Sequence, residues 1–448
     1  MKIDARHGAA NAHVCTDKAL ARTRKAKYNL TEMKFHTDKK NFATEGRLRV
    51  GIMSDSQLSC LPWRKDSVYE RNTRRAFEVF ANLGCNVILF AGDICNTAGA
   101  HAYRTFARCL ESAYGEKQPV VQLIMGNHDY YLRPFARRLF RGETGQSPFT
   151  HYVVNGYHFI GASPDCASMR RGYAKTARWL DAELRVACEA HPDRPVFVLA
   201  HNAPKYTVYG SDDWGDETLD EVLSKYPRAV VFAGHSHYSL LDERSVYRGK
   251  YTVLNTQSVS YVEMERGKAN GSVPPAAHSA PMGYVMDLDD TGAVVSRFRL
   301  SDGKEMKADR RIVLTPCTDD AENRAACTAD ADGAPSMTEE RGGFRISDDG
   351  VTRLAFARGR HADFVHSYRV VFSDGTEQTY FSDFYLGDDS AADIVELPVY
   401  GKAAGVYDVR IYALDSFGRR SADCTRIDGV AVARKVDYKR KLAPDIRY

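Results

Sequence analysis

The chain has 448 residues, enough for two or three domains at about 150 residues each. Hydrophobic residues make up 44% and charged residues 27%, which excludes wholesale disorder. Sixty-two Lys and Arg against 58 Asp and Glu leave a net charge of +4, which argues against the strongly basic footprint of a nucleic-acid-binding domain. No apolar run approaches the roughly 18 residues that would span a bilayer. The opening residues MKIDARHGAANAHVC lack the apolar stretch of a signal peptide.

Ten cysteines stand at 15, 60, 85, 95, 109, 166, 188, 317, 327 and 424, and none forms a CxxC pair. That excludes a zinc ribbon and a thioredoxin-like site. Cys85, Cys109 and Cys188 fall within apolar or helical stretches and read as reduced, buried thiols. A reducing, cytoplasmic location is expected. Against it stands one glycosylation sequon, Asn29-Leu30-Thr31.

Residues 1–46 hold no sustained hydrophobic period. Up to Leu48, eleven Lys and Arg oppose five Asp and Glu. The stretch reads as a basic arm, either a solvated tail on its own domain or a contact for an acidic partner. Five apolar runs follow, each ending in a polar cluster. Leu48–Met53 leads into Ser54-Asp55-Ser56-Gln57, and Val87–Ala91 into Gly92-Asp93. Val120–Met125 leads into Gly126-Asn127-His128-Asp129, Val196–Ala200 into His201-Asn202, and Ala229–Ala233 into Gly234-His235-Ser236-His237. Short continuous apolar runs suit strands buried on both faces.

Helical spacing intervenes at Ala76, Val79, Phe80 and Leu83, at Tyr103, Phe106, Leu110 and Tyr114, and at Trp179, Leu180, Leu184 and Cys188. Alternating strands and helices predict a layered α/β domain, with ligands gathered beyond the strands' carboxyl ends. Tyr251–Tyr261 and Tyr284–Leu300 read as further strands, separated by a surface loop at Gly267–Pro281. An acidic break at 317–341, seven acidic against two basic residues, marks a linker. Beyond it, alternating segments such as Tyr368–Phe372 and Thr379–Phe384 are divided by Ser373-Asp374-Gly375 and Gly387-Asp388-Asp389. This predicts an all-β, immunoglobulin-like sandwich. Tyr407 to Gly418 resembles the penultimate strand of a fibronectin type III domain, with Tyr407 as its tyrosine-corner residue.

One strand-terminal Asp or His is most simply a cap or a surface residue. The set is different. Asp-x-Gln, Gly-Asp-x-x-Asn, Gly-Asn-His-Asp, His, then Gly-His-x-His collect carboxylate, carboxamide and imidazole groups in one domain. Such mixed oxygen and nitrogen donors suit two divalent ions. The three glycines, Gly92, Gly126 and Gly234, each precede a candidate ligand and let the backbone turn close to the site. On an extended segment His235 and His237 would face the same way.

In this order the motifs resemble the calcineurin-like metallophosphoesterase superfamily, over residues 48 to about 300. The resemblance implies a double β-sandwich flanked by helices, with a two-metal centre of Mn, Fe or Zn at one edge. Asp93 would bridge both ions, Asp55, Gln57 and His237 would complete the first site, and Asn127, His201 and His235 the second. A shared carboxylate offsets the repulsion of two cations about 4 Å apart. His128 would be the catalytic residue that protonates the leaving oxygen, with a metal-bridging hydroxide attacking phosphorus in line. Asp129 would either orient His128 or cap the next turn. Two departures stand out. Gln57 occupies a position where the family usually has His, which would weaken the first site. Asn96 stands where some protein phosphatases have an Asp that orients the catalytic histidine.

The expected order is therefore a basic arm (1–46), a metallophosphoesterase domain (47–310), an acidic linker (311–345), a fibronectin type III-like domain (346–436) and a basic tail (437–448). Residues 1–310 are expected to fold alone. The expected activity is hydrolysis of a small phosphomonoester or phosphodiester, with no membrane span and no nucleic-acid partner. Two rivals stand beside it. One is an inactive scaffold binding a partner protein, for which Gln57 speaks. The other is a nuclease, which lacks a basic groove between 48 and 300. Trp63, Arg64, Tyr130, Tyr131, Arg133, Tyr206 and Tyr238 follow the motifs as candidate substrate contacts or as ordinary structural residues. The C-terminal sandwich is a candidate partner-binding module.

Overall fold

The computed structural model describes residues 37–64, 66–168, 170–290, 292–314, 333–387 and 393–438. Most of the basic arm, the core of the acidic linker and most of the C-terminal tail lie outside them, as do Cys15, Cys317, Cys327 and the Asn29 sequon.

The first sheet is built from β1 (Thr37–Phe42), β5 (Phe149–Val154), β6 (Tyr157–Ala162), β7 (Val196–Ala200), β8 (Ala229–Ala233), β10 (Thr252–Asn255) and β9 (Val246–Arg248), in that spatial order. The second runs β13 (Lys304–Met306), β12 (Gly292–Arg299), β11 (Met282–Asp289), β2 (Leu48–Met53), β3 (Val87–Phe90) and β4 (Val120–Leu123), with β14 (Ile312–Leu314) also paired to β12. The apolar runs of the sequence are the central strands of these sheets. β3, β7 and β8 are buried at every position, as strands covered on both faces must be. One core joins the inner faces, with Val50, Leu89, Phe159, Phe197, Phe232 and Tyr284 among its members.

Helices α1 (Val68–Asn82) and α2 (Ala100–Tyr114) cover the outer face of the second sheet through Phe77, Phe80 and Phe106 against Ile88 and Phe90. α1 starts where the Ser67 hydroxyl accepts the Glu70 amide at 3.2 Å, the Ser-x-x-Glu arrangement of a capping box. α4 (Thr176–Ala190) packs on the other sheet, between α3 (Ala136–Thr144) and the short α5 (Ser211–Trp214) and α6 (Leu219–Leu223) in chain order. The chain thus has a mixed α/β fold with additional β-sheets after it.

Three expectations change. Residues 37–42, read as part of the arm, form an edge strand parallel to β5. The stretch Tyr251–Tyr261 is a strand only to Asn255. Beyond it Thr256 Oγ1 donates to the Ala233 carbonyl and Ser258 Oγ to that of Asp55, and such side-chain bonds compete with a ladder. Gly267–Pro281 is no free surface loop, because Asn270, Val273, Ala277 and Ala280 in it are buried.

What buries that loop is the C-terminal region. β15 (Gly343–Ile346), β16 (Thr352–Ala357) and β19 (Ile394–Pro398) form one antiparallel sheet. β18 (Glu377–Phe381), β17 (Ser367–Phe372), β20 (Gly405–Leu414) and β21 (Thr425–Val432) form another. Leu354, Phe356, Tyr368, Val370, Ile411 and Ile427 share a core between the two sheets. Phe381, Phe384 and Tyr385 then pack on Val262, Met264, Val273 and Ala277. Asn270 exchanges two hydrogen bonds with the Phe381 backbone, at 3.1 and 3.0 Å.

Among the described cysteines, Cys85, Cys95 and Cys109 are buried, Cys60, Cys188 and Cys424 half-buried, and Cys166 exposed; all are free thiols. No helix among the described residues is long and apolar enough to cross a membrane.

Candidate metal centre

The polar clusters meet because the parallel strands that carry them end at the same edge of the two sheets. The Asp55 amide donates to the Gly92 carbonyl at 2.9 Å, which ties the end of β2 to that of β3. The Gly234 amide donates to the His201 carbonyl at 3.0 Å, tying β8 to β7. Asp55, Gln57, Asp93, His235 and His237 all have positive φ, between 43° and 70°. Non-glycine residues rarely adopt this conformation, and it concentrates at functional sites. It also replaces the extended geometry expected for His235 and His237: both side chains line one cavity from a bent backbone.

Two glycines make room for this. Gly92 has φ +91°, and a Cβ there would lie 2.7 Å from His201 Nδ1. Gly126 is needed for close approach, since a Cβ would lie 2.6 Å from both the Asp93 amide nitrogen and His201 Cε1.

The candidate ligands fall into two neighbouring groups. In one, His237 Nε2 lies 3.2 Å from Asp55 Oδ1 and 3.3 Å from the Gln57 amide nitrogen. In the other, His201 Nε2 lies 3.4 Å from Asp93 Oδ2 and 3.0 Å from Asn127 Oδ1. One ligand atom from each of Asp93, His201 and His235 lies within 4.8 Å of the others. The Gln57 side chain therefore points into the site, and a half-turn of its amide would present Oε1 in place of Nε2.

Backbone carbonyls fix the histidine tautomers. Nδ1 of His201 faces the Ala91 carbonyl at 2.8 Å, and Nδ1 of His237 faces that of Tyr261 at 3.0 Å. A carbonyl only accepts, so Nδ1 carries the proton and Nε2 turns a lone pair inward, as a metal-ligating histidine requires. Asp55 Oδ1, Asp93 Oδ2 and His235 Nε2 are buried without a hydrogen-bond partner. Buried groups of this kind are expensive unless something satisfies them. A divalent cation in each of the two groups would satisfy all three.

The charges agree. Burial alone would raise the Asp93 carboxyl, but the positive charge of His201 and His128 outweighs it and holds the pKa well below the usual range. Burial lowers His201, and Asp93 more than reverses this, lifting it to about 9. Without a cation, His201 therefore also keeps a proton on Nε2, facing Asp93, and a metal ion would take that proton's place. His235, pushed far down by burial and then by His201, stays neutral and free to donate its lone pair.

His128 stands apart from the ligands. Its Nδ1 is 2.7 Å from the Asn96 carbonyl, its amide donates to Asp93 Oδ1 at 2.8 Å, and its Nε2 lies 3.9 Å from Asp93 Oδ2. Asp129 neither orients His128 directly nor caps the following turn. Buried, it accepts from the Gly126 and Cys95 amides at 2.9 and 3.1 Å and from the Tyr103 hydroxyl at 3.0 Å. It therefore staples the β4 loop to the β3 loop.

Several residues at the site were not singled out from sequence. Trp214, Tyr261 and Glu263 line the cavity with Gln57, Asp93, Asn127, His128, His235 and His237. Tyr261 and Glu263 follow no strand-end motif, and Trp214 stands well beyond the His201-Asn202 motif, so only the fold brings them there. Tyr131 packs against His128 at 4.6 Å between ring centres, and its hydroxyl oxygen accepts from Asn127 Nδ2 at 2.8 Å. Of the other loop residues, Tyr238 is buried against Tyr209. The Tyr130 hydroxyl is spent on the Pro164 carbonyl, and Arg133 Nε on that of Ala98.

Residues 48–239 match the family model for calcineurin-like phosphoesterases, so the chain carries a metallophosphoesterase domain there, and the match supports phosphoesterase activity in general. Similar solved structures include a dimetal phosphatase from Danio rerio, 12% identical with a TM-score of 0.42, the match covering 60% of this chain and 99% of that one. Another is a purple acid phosphatase from yellow lupin, Lupinus luteus, 13% identical with a TM-score of 0.43, over 64% of this chain and 56% of that one. A third is the anchor in the inner membrane complex of Plasmodium, 15% identical with a TM-score of 0.41, over 61% and 90%. No curated protein matches the sequence.

Proposed function

We propose that the chain is a two-metal phosphoester hydrolase. Asp55, Gln57 and His237 would hold one divalent ion, Asn127, His201 and His235 would hold the other, and Asp93 would serve both. The observation that carries this reading is the convergence of three buried, unpartnered donor atoms with two histidines whose tautomers are already set for ligation. Bound divalent ions supply charge for the phosphoryl oxygens and lower the pKa of water towards neutrality.

The chain's own residues do the rest. His128, with its Nδ1 proton held by Asn96, presents Nε2 to the mouth, where it is about one-quarter exposed and within reach of substrate. Protonated there, it donates to the leaving oxygen. The cavity holds about 80 Å³, room for a phosphoryl group but for little of the alcohol, which stays among the surrounding loops.

The C-terminal sheets we read as a fibronectin type III-like module. Their strand orders, and the Tyr407 hydroxyl turned back to the Ala403 carbonyl at 3.2 Å, support this, since a tyrosine corner bonds the backbone a few residues upstream.

The test is metal analysis of the purified chain together with a panel of chromogenic phosphomonoesters and phosphodiesters. Turnover that a chelator abolishes and Mn, Fe or Zn restores supports the reading. A metal-loaded chain with no turnover on any ester would favour the scaffold reading instead.

A further inference from the structure

The four most exposed large apolar side chains among the described residues are Leu132 (88%), Phe135 (75%), Trp63 (74%) and Tyr206 (72%). All lie on loops that follow β2, β4 and β7, the strands that deliver Asp55, Asn127 and His201. Two of them, Leu132 and Tyr206, sit at φ 60° and 62°, a conformation costly for bulky side chains.

These loops adjoin one another. A Cβ on Gly99 would lie 3.3 Å from Cys60 Cα, and Arg133 donates to the Ala98 carbonyl at 3.1 Å. Tyr130 and Arg137 donate to the carbonyls of Pro164 and Asp165, and the Glu217 amide to that of Arg170 at 2.9 Å. The result is one arc of loops beside the candidate metal centre, with apolar tips turned to solvent.

The arc is also basic. From 130 to 141 the chain has four arginines and no acidic residue, and Arg170 and Arg171 are exposed beyond. Asp165 and Glu217 are paired, with Arg137 and Lys205, which leaves Asp212 and Asp213 as the exposed acids of the last loop. Exposed apolar tips interleaved with cations fit a surface that is anionic outside and hydrocarbon within. A nucleic acid would use the arginines and leave Leu132 uncovered.

We propose that this arc docks the chain on an anionic phospholipid bilayer and holds the metal centre over phosphate esters presented there. The docking stands independently of turnover; only the substrate side rests on the hydrolase reading.

The test is flotation of the full chain with vesicles of phosphatidylcholine alone, or of phosphatidylcholine mixed with phosphatidylserine. Binding is expected to the mixed vesicles and to weaken as salt screens the arginines. The double variant Trp63→Ala, Phe135→Ala should lose about tenfold or more in partitioning, since each ring forfeits its buried area. Arg170→Glu with Arg171→Glu should lose the preference for phosphatidylserine while keeping its metal content and its circular dichroism. Absence of binding at low salt overturns the proposal, as does binding that the aromatic variant leaves intact. It is also overturned if the arc binds a single-stranded oligonucleotide in place of vesicles, or pairs with a second copy of the chain in a dimer that Trp63→Ala dissolves. Vesicle binding by a chain without turnover would remove the hydrolase reading and leave the docking standing.

Discussion

Nδ1 of His128 lies 2.7 Å from the backbone carbonyl oxygen of Asn96. The orienting group at this position is thus main chain, and it survives any side chain at 96. The carbonyl is itself placed by the Asn96 amide, which donates to the Leu58 carbonyl at 2.9 Å.

His128→Ala should therefore lower turnover by about 100- to 10,000-fold, the usual weight of a proton-transfer group, with metal content near that of the unsubstituted chain. Asn96→Ala should cost far less. Steady-state kinetics on one chromogenic ester, with metal analysis of each variant, decides it. Equal losses in both would give the Asn96 side chain a role that its geometry does not require.

Gly126→Ala should empty the site. The new methyl group would press on the Asp93 amide and on His201, and such overpacking costs about 1–3 kcal/mol at the two residues that must stay aligned. Asp93→Asn should release both ions together, because it removes the one carboxylate proposed to touch each. Retention of two tightly held ions in Asp93→Asn would remove that residue from the bridge.

Gln57→His tests the weaker half of the site. An amide oxygen is a poorer donor than imidazole for borderline metals, so the ion beside Gln57 should leave first under a chelator and be refilled best by Mn. The variant should bind it more tightly and shift preference towards Zn or Fe. Metal titration of the stripped proteins should show two sites in both. One site in the natural chain and two in the variant would mean that Gln57 does not ligate.

Acid should loosen the joint between the catalytic fold and the C-terminal sheets. Buried His366 lies 3.2 Å from the Tyr209 hydroxyl, 3.3 Å from Arg244 and 3.6 Å from Glu265, with Asp242 bound to the same arginine. Burial, partly opposed by Glu265 and reinforced by Arg244, pushes its pKa down to about 4, from an ordinary value near 6.5. Between these values the unfolded chain binds more protons, so stability is whole above about pH 6.5 and falls towards pH 4. The ceiling is about 3 kcal/mol. Denaturation midpoints across this window should slope less steeply for His366→Gln, and an identical slope would assign the acid sensitivity elsewhere.

Removing residues beyond 310 should expose Val262, Met264, Val273 and Ala277, which Phe381, Phe384 and Tyr385 cover. The truncated chain is expected to aggregate or bind hydrophobic dye, contrary to what the acidic break in the sequence suggests. A soluble, monomeric, metal-loaded fragment would show that the interface is dispensable.

The composition of the apolar runs by itself determined that β3, β7 and β8 would be strands buried on both faces, because a short stretch with no polar position has nowhere else to go, while β2 and β4 follow the same pattern with one polar residue each, Arg49 and Gln122. The order of the polar clusters behind them carried the resemblance that implies the candidate ligands, and parallel strands deliver such clusters to one edge. Local pattern could not reach the rest. That Asn96 acts through its carbonyl is a matter of main-chain direction, which side-chain identity does not encode. Trp214 and Glu263 reach the cavity through segments with no periodic signal of their own, and Tyr261 reaches it because its strand stops at Asn255. The Gly267–Pro281 stretch reads as a loop and is one, yet it is buried, because what covers it lies about 110 residues further along the chain. Hydrophobic pattern reports how much of a segment must leave water. Which partner excludes the water is decided by packing between segments far apart in sequence, and only the tertiary structure holds that information.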